Sequence, residues 1–182
     1  MSAKQPYEIE RKWLMDGWPA GLAETGRARM RQGYIATAPA VRIREIEEGG
    51  RRTFVLCFKS AGTLVRREIE TDIGEETFRA LEDFIGKPLV TKELRTYRLP
   101  GGETLEANRV DAGLPTEFYY AEVEFPTVEA ARAFVPPAGV GLGQEQTETG
   151  FSMSAYWLHT RGEPEQPPAG GGTAGVILRG KG

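Results

Sequence analysis

At 182 residues the chain has the length of one domain and can bury a core without covalent staples. A single cysteine, Cys57, and a single histidine, His159, exclude an internal disulfide and a Cys/His zinc cluster. A Cys57/His159 catalytic pair has no identifiable third group to orient it. The net charge of −3 argues against bulk nucleic-acid binding. No apolar run approaches the roughly 20 residues of a membrane span, and residues 1–6 carry no signal-peptide pattern. The expectation is a cytoplasmic protein without nucleic-acid or membrane partners, its oligomeric state left open.

The first patterned stretch is Glu8-Ile9-Glu10-Arg11-Lys12. As a β-strand it places Glu8, Glu10 and Lys12 on one face and Tyr7, Ile9 and Trp13 on the other. Two carboxylates on one face repel, so the pattern reads either as a solvated face or as a divalent-cation site with a cation beside it. Residues 17–26 read as a short helix or loop, with Trp18, Leu22 and Ala23 for packing. Strand character follows at Gly33-Tyr34-Ile35. Beyond Pro39, Arg42 and Arg44 share one strand face while Val41 and Ile43 share the other. Glu47-Glu48-Gly49-Gly50 turns the chain into a strand over 52–59, where Phe54, Leu56 and Phe58 oppose Val55, Cys57 and Lys59. After a turn at Ala61-Gly62, residues 64–72 alternate Arg66, Glu68 and Glu70 with Val65, Arg67 and Ile69.

Asp72-Ile73-Gly74-Glu75 resembles a capping box, and Phe78, Leu81, Phe84 and Ile85 follow at helical spacing up to Gly86. Strands are predicted over 89–99, which carries Lys92, over 103–111, where Leu105 and Ala107 oppose Glu106 and Asn108, and over 117–125. In the last of these Glu122 and Glu124 sit opposite Ala121, Val123 and Phe125. Thr127 is positioned to cap a helix over 128–135, stopped by Pro136-Pro137, and residues 152–159 form a final amphipathic segment. The domain is placed at 1–160. The remainder, 161–182, is Pro/Gly-rich from Glu163 and is expected to be a disordered tail.

About eight strands joined mostly by hairpin turns suggest an antiparallel barrel, α+β but mainly β. At least five strands carry one charged and one apolar face. Two or three amphipathic helices need an apolar surface to cover. Helices packed outside would take the apolar faces and leave the charges within, and the expectation is this inverted barrel. Charges buried on that scale need partners and water. A hydrated tunnel holding a polyanion with divalent metal satisfies both signs, because Arg and Lys suit phosphate oxygens and clustered carboxylates suit Mg2+ or Mn2+.

In this order the residues resemble the CYTH superfamily, the triphosphate tunnel metalloenzymes. The resemblance rests on E-x-E-x-K at Glu8, Glu10 and Lys12, R-x-R at Arg42 and Arg44, and the strand-end Lys59. It continues with R-x-E-x-E at Arg66, Glu68 and Glu70 and the late E-x-E at Glu122 and Glu124, and it covers residues 7–157. It implies an eight-stranded closed antiparallel tunnel that binds triphosphate inside. The metal ligands it implies are Glu8, Glu10, Glu122 and Glu124, joined by Glu68, Glu70 and Glu106. Lys12, Arg42, Arg44, Lys59, Arg66 and Lys92 would grip phosphate. The family often has K-x-R followed by tyrosine; here Lys92 is followed by Arg95, Tyr97 and Arg98 with extra spacing. Strand parity favours Arg98, whereas a β-bulge would bring in Arg95. Asn108 stands where a further acidic residue is usual.

The function implied is divalent-metal-dependent hydrolysis of a triphosphate group by in-line attack of water, with Glu8, Glu10 and Lys12 at its centre. The alternatives are a class IV-type adenylate cyclase, a thiamine-triphosphatase-like enzyme, and a non-catalytic polyphosphate- or nucleotide-binding protein. Reading a base requires an aromatic platform or paired hydrogen bonds. Only Phe118 and Tyr120 share parity with Glu122 and Glu124, toward one mouth. Inorganic triphosphate is therefore the expected substrate.

Overall fold

A computed structural model describes residues 7–162. Eight strands run in chain order as β1 (Tyr7–Met15), β2 (Glu24–Thr37), β3 (Ala40–Glu48), β4 (Arg51–Lys59), β5 (Val65–Asp72), β6 (Val90–Arg98), β7 (Thr104–Val110) and β8 (Phe118–Glu124). They close into one antiparallel barrel in the order β1-β5-β4-β3-β2-β6-β7-β8. Three helices, α1 (Glu75–Ile85), α2 (Val128–Ala133) and α3 (Met153–Arg161), complete the described fold. None is long and apolar enough to cross a membrane.

The inverted arrangement expected from the alternation is the one adopted. Trp13 and Met15 of β1, Tyr97 of β6, Leu105 and Ala107 of β7, and Ala121 and Val123 of β8 pack with Phe125, just past β8, and with Ala131 of α2 in one buried cluster. All the strand members have outward parity, so the apolar core lies between the barrel wall and its covering. α1 packs on β2, β3 and β4, burying Phe78 and Ile85 with Ile43 and Phe54. Gly33 permits this closeness, because a Cβ there would lie 2.5 Å from Leu89 Cδ2 and 3.1 Å from Ile85 Cδ1.

The inner face changes character toward the start of β6 and β8. Val90, Val110, Tyr120 and Tyr34 join Met153 and Trp157 of α3 in the second cluster, so α3 packs across an apolar layer at that end. α3 is tied down by Asp111, which is 1% exposed and has φ 48°, a left-handed conformation that Asp tolerates better than most residues. Its Oδ2 accepts from Tyr156 Oη at 2.6 Å and pairs with Arg161 at 2.6 Å, while Oδ1 accepts from Thr91 N at 3.0 Å.

Several local expectations need correction. β2 starts at Glu24, well before Gly33. Its Arg27-Ala28-Arg29-Met30-Arg31 run has little intrinsic strand preference and is held extended by pairing with β3 and β6 on its two edges. The capping box does not form: Gly74 is the N-cap of α1 with no side-chain cap bond, because Asp72 stays in the sheet opposite Val55. Thr127 does cap α2, accepting from Ala130 N, but the helix ends at Ala133 with Phe134 already extended. α3 runs one residue past the boundary placed at 160. The tail expected from Glu163 lies outside the described residues.

Burial alone would raise the Asp111 pKa, but hydrogen bonds from Arg161, Tyr156 and Thr91 outweigh it and hold the carboxyl below its ordinary value. Stability from a depressed carboxylate is present above the unfolded value and is lost as pH falls through the folded one. Asp111→Asn keeps the shape and the left-handed tolerance but loses the charge. It should cost about 2 kcal/mol in urea unfolding near neutral pH, and the gap from wild type should shrink as pH drops below about 4. A gap that stays constant into acid would place the cost in geometry rather than charge.

Candidate active site

The barrel encloses a cavity of about 820 Å³. Alternation delivers its wall: Glu8, Glu10 and Lys12 from β1, Arg42 and Arg44 from β3, Lys59 from β4, and Arg66, Glu68 and Glu70 from β5. Lys92 of β6, Glu106 of β7 and Glu122 and Glu124 of β8 complete the charged set. Six cations therefore face seven carboxylates in one cavity, and all but one of the residues expected to hold metal or phosphate converge there.

Arg98 is the exception. It is exposed and donates to the Gly102 carbonyl at 2.6 Å, since the end of β6 has left the charged part of the barrel. Arg95 does not replace it: its guanidinium lies 4.0 Å from the Trp18 ring centroid on the outside, 3.8 Å from Glu24. Arg11, on the outer face, pairs with Glu145 at 2.6 Å and donates to the Ala131 and Phe134 carbonyls.

Charges of the two signs are interleaved. Lys12 Nζ lies 2.6 Å from Glu10 and 3.1 Å from Glu122. Lys59 lies 2.9 Å from Glu8 and 3.2 Å from Glu68. Arg66 reaches Glu8 at 3.0 Å and also pairs closely with Glu10. Arg44 holds Glu70 at 2.8 Å, while Arg42 is only loosely paired, 3.6 Å from Glu68 and 3.8 Å from Glu70. The Nε atoms of Arg42, Arg44 and Arg66 are buried with no hydrogen-bond partner among the described residues.

The carboxylates form a second grouping. Glu10 sits directly opposite Glu124 across β1 and β8, and Glu106 opposite Glu122 across β7 and β8. Like charges in facing positions destabilise a sheet, and hard oxygen donors gathered this way suit Mg2+ or Mn2+. The titration pattern agrees. Burial, then the charge of Glu122, raises the Glu10 pKa, and burial with Glu122 and Glu124 raises that of Glu106. At Glu122 burial acts in the same sense, but the charges of Lys12, Lys92 and Lys59 outweigh it and hold the carboxyl well below the usual range. A second set of donors, Cys57, Glu68 and Glu70, comes within 4.8 Å of one another. Both groupings have cations against them: Arg42, Arg44 and Lys59 at Glu68 and Glu70, and Lys12 and Arg66 at Glu10 and Glu122.

Lys92 is fully enclosed. Its Nζ donates to Tyr120 Oη at 2.5 Å, and burial, reinforced by Arg42, Arg44 and Lys12 against the pull of Glu122, lowers its pKa to about 7. Tyr120 is 1% exposed and stacks on Phe118 at 5.8 Å. Phe118 itself packs against Phe151 and Tyr156 and is not on the cavity wall. Asn108 is 1% exposed and donates to the Glu106 carbonyl at 3.3 Å.

Several wall residues were not singled out from the sequence. Cys57, which donates to Glu68 at 3.1 Å, shares parity with Lys59 and was legible in the alternation. Burial pushes its thiol up to about 11, and His159 is exposed on α3, so no catalytic pair forms. Tyr34 sits directly opposite Arg42 in the register of β2 and β3, a pairing that marks its face as the inner one and that β2 itself, with no charge pattern to read, could not reveal. Thr147 and residues 150–154 reach the wall from irregular chain and the start of α3, where no period exists to read.

No protein-family model matches the chain. The inorganic triphosphatase of Nitrosomonas europaea is 34% identical over 142 residues, 78% of this chain and 89% of that protein. A crystal structure of an inorganic triphosphatase superposes with a TM-score of 0.55 at 28% identity, covering 83% of this chain and 94% of that one. A protein from Pyrococcus horikoshii OT3 has a TM-score of 0.50 at 18% identity over 69% of this chain and 82% of that one, a likeness of fold alone. With the ordered charge motifs gathered in one closed barrel and a relative that matches nearly end to end, the chain belongs to the CYTH superfamily of triphosphate tunnel metalloenzymes.

Proposed function

We propose that the protein is a divalent-metal-dependent hydrolase of triphosphate groups, with inorganic triphosphate its main substrate and the cytoplasm its site of action. The observation that carries this reading is the cavity wall itself, where six cations and seven carboxylates converge inside one closed barrel. A relative named for inorganic triphosphatase activity supports the same substrate.

In this proposal Arg42, Arg44, Lys59, Arg66 and Lys92 hold the phosphate chain, exchanging carboxylate partners for phosphate oxygens. Glu10, Glu106, Glu122 and Glu124, with Glu8 beside them, would hold Mg2+ or Mn2+. When bound, such an ion supplies charge neutralisation at the reacting phosphoryl group and aids the attacking water. Lys12 sits between Glu10 and Glu122, where it keeps both carboxylates oriented and can offer its charge to a departing phosphate. The wall charges are mostly buried, so each acts in an environment that screens less than bulk water. A nucleobase or thiamine ring would need a flat platform. The remoteness of Phe118 from the wall and the near-complete burial of Tyr120 favour the inorganic substrate over the cyclase and thiamine alternatives.

Glu8→Gln and Glu124→Gln keep the side-chain shape while removing charge. Each should lower turnover by at least about tenfold, or 1.4 kcal/mol of barrier, in a phosphate-release assay with saturating Mn2+. Unchanged turnover in both would remove the metal role from these carboxylates.

Arg42→Ala and Arg44→Ala should raise KM or lower kcat steeply, by about 2 kcal/mol of lost binding each. Arg11→Ala should lower the melting temperature while leaving the kinetics of the folded enzyme alone, because Arg11 bonds outward to Glu145 and the backbone of residues 131 and 134. Equal, small kinetic effects at all three positions would undo the tunnel assignment.

If Lys92 binds phosphate as a cation, its charge is lost as pH rises through about 7 in the free enzyme. Since kcat/KM reports free-enzyme ionisations, it should fall across that range, and Lys92→Met should lose the limb. A rise over the same interval would make Lys92 a proton acceptor instead.

A further inference from the structure

One cation of the tunnel is held differently from the rest. Lys12, Arg42, Arg44, Lys59 and Arg66 each rest on a carboxylate. Lys92 makes no ion pair among the described residues. Its hydrogen-bond partner is a phenol, Tyr120 Oη, at 2.5 Å, and both residues line the cavity. A phenol is neutral near pH 7, so it accepts from the ammonium without cancelling its charge.

The bond crosses the barrel: Lys92 stands on β6 and Tyr120 on β8, with β7 between them. Tyr120 is a fixed anchor, because its ring is stacked on Phe118 at 5.8 Å and meets Phe151 edge-on at 5.7 Å. Lysine has a long, flexible stem and loses much rotamer freedom when held. Its ammonium carries three N–H donors; the phenol takes one and leaves two. Burial opposes the charge on Lys92, and Glu122 is a carboxylate that attracts it. Glu122 lies two residues beyond Tyr120 on the same strand face. Without the phenol, the ammonium would turn to an ion pair with Glu122, as Lys12 already does at 3.1 Å.

We propose that Tyr120 is a positioning residue: its Oη holds the Lys92 ammonium off Glu122, so that a phosphate oxygen reaches this cation without first displacing a carboxylate. The proposal rests on the triphosphate reading above and adds to it an uncharged side chain outside the ordered charge motifs. Lys92 is then the tunnel cation that a polyanion engages in metal-free protein without breaking an ion pair.

The test is a double-mutant cycle. Tyr120→Phe removes the Oη and keeps the ring. Tyr119→Phe makes the same change one residue earlier on β8, where the ring packs on Trp18 outside the barrel. Triphosphate is titrated calorimetrically into metal-free protein, KM and kcat are measured with Mn2+, and the melting temperature of each variant is recorded. Tyr120→Phe should weaken triphosphate binding and raise KM about tenfold, the scale of a hydrogen bond to a charged group. Its kcat should stay within about twofold of wild type, because Lys92 grips substrate and transition state alike. Lys92→Met should weaken binding at least as much, and adding Tyr120→Phe to it should change binding no further. With both partners replaced by apolar groups, the double variant should melt no lower than Tyr120→Phe alone. Tyr119→Phe should leave binding and kinetics unchanged. Equal losses from Tyr120→Phe with and without Lys92, a fall in kcat at constant KM, or unchanged binding overturns the positioning role and leaves the triphosphate reading in place. Wild-type protein that neither binds nor hydrolyses triphosphate overturns both.

Discussion

Facing carboxylates inside a closed barrel set the terms for the rest of the molecule. Glu10 against Glu124 and Glu106 against Glu122 are pairings that a sheet chosen for stability would avoid. Breaking up a buried ion pair is costly, yet an intact one seldom beats a well-packed apolar pair of similar size. An interior of six cations and seven carboxylates therefore contributes little to holding the fold together. It is a binding surface that the remainder of the protein has to stabilise from elsewhere.

That stabilisation comes from outside the barrel wall. With the inner face given to charge, the apolar residues of each strand point outward and need cover. α1, α2, α3 and the segments between them supply it, burying Phe78, Trp13, Leu105 and Val123 to 2% exposure or less. Removing apolar surface from water contributes about 25 cal/mol per Å², so side chains of this size offset what the polar interior does not provide. Closing the barrel also leaves no strand edge open. The wall is thereby rigid enough to fix like charges within a few ångströms of one another.

Fixed charges that are mutually paired are also ready to exchange. Each guanidinium or ammonium of the tunnel except that of Lys92 rests against a carboxylate, and Lys92 rests on Tyr120. An entering polyanion competes for the cations and an entering divalent ion competes for the carboxylates. Either alone leaves the other sign without its partner; together they satisfy both. Metal and phosphate are linked through this shared set of side chains, and the near balance of the two signs is the structural basis of that linkage.

The sequence by itself determined which side chains could share a face. A strand has a period of two, so E-x-E-x-K, R-x-R, R-x-E-x-E and the late E-x-E each put two or three charged residues on one face without any knowledge of the neighbours. Cys57 was legible by the same parity. Alternation could not say which face was inner; the helices tilted that choice, and only their packing against the outer wall decided it. Nor could local pattern foresee where periodicity failed. β2 is extended from Glu24 because β3 and β6 hold it on both sides. Pairing with Arg42 across β3 puts Tyr34 on the tunnel wall, while Arg98 leaves the charged interior where β6 reaches its end. Capping followed the same division. Thr127 acts through a bond within one turn and was readable, whereas Asp72 was drawn away from the helix by its pairing with Val55. The left-handed Asp111 and the placing of α3 against the cavity depend on contacts 45 to 50 residues apart along the chain. Contacts at that separation belong to tertiary structure, because they arise only when the closed barrel brings distant segments together.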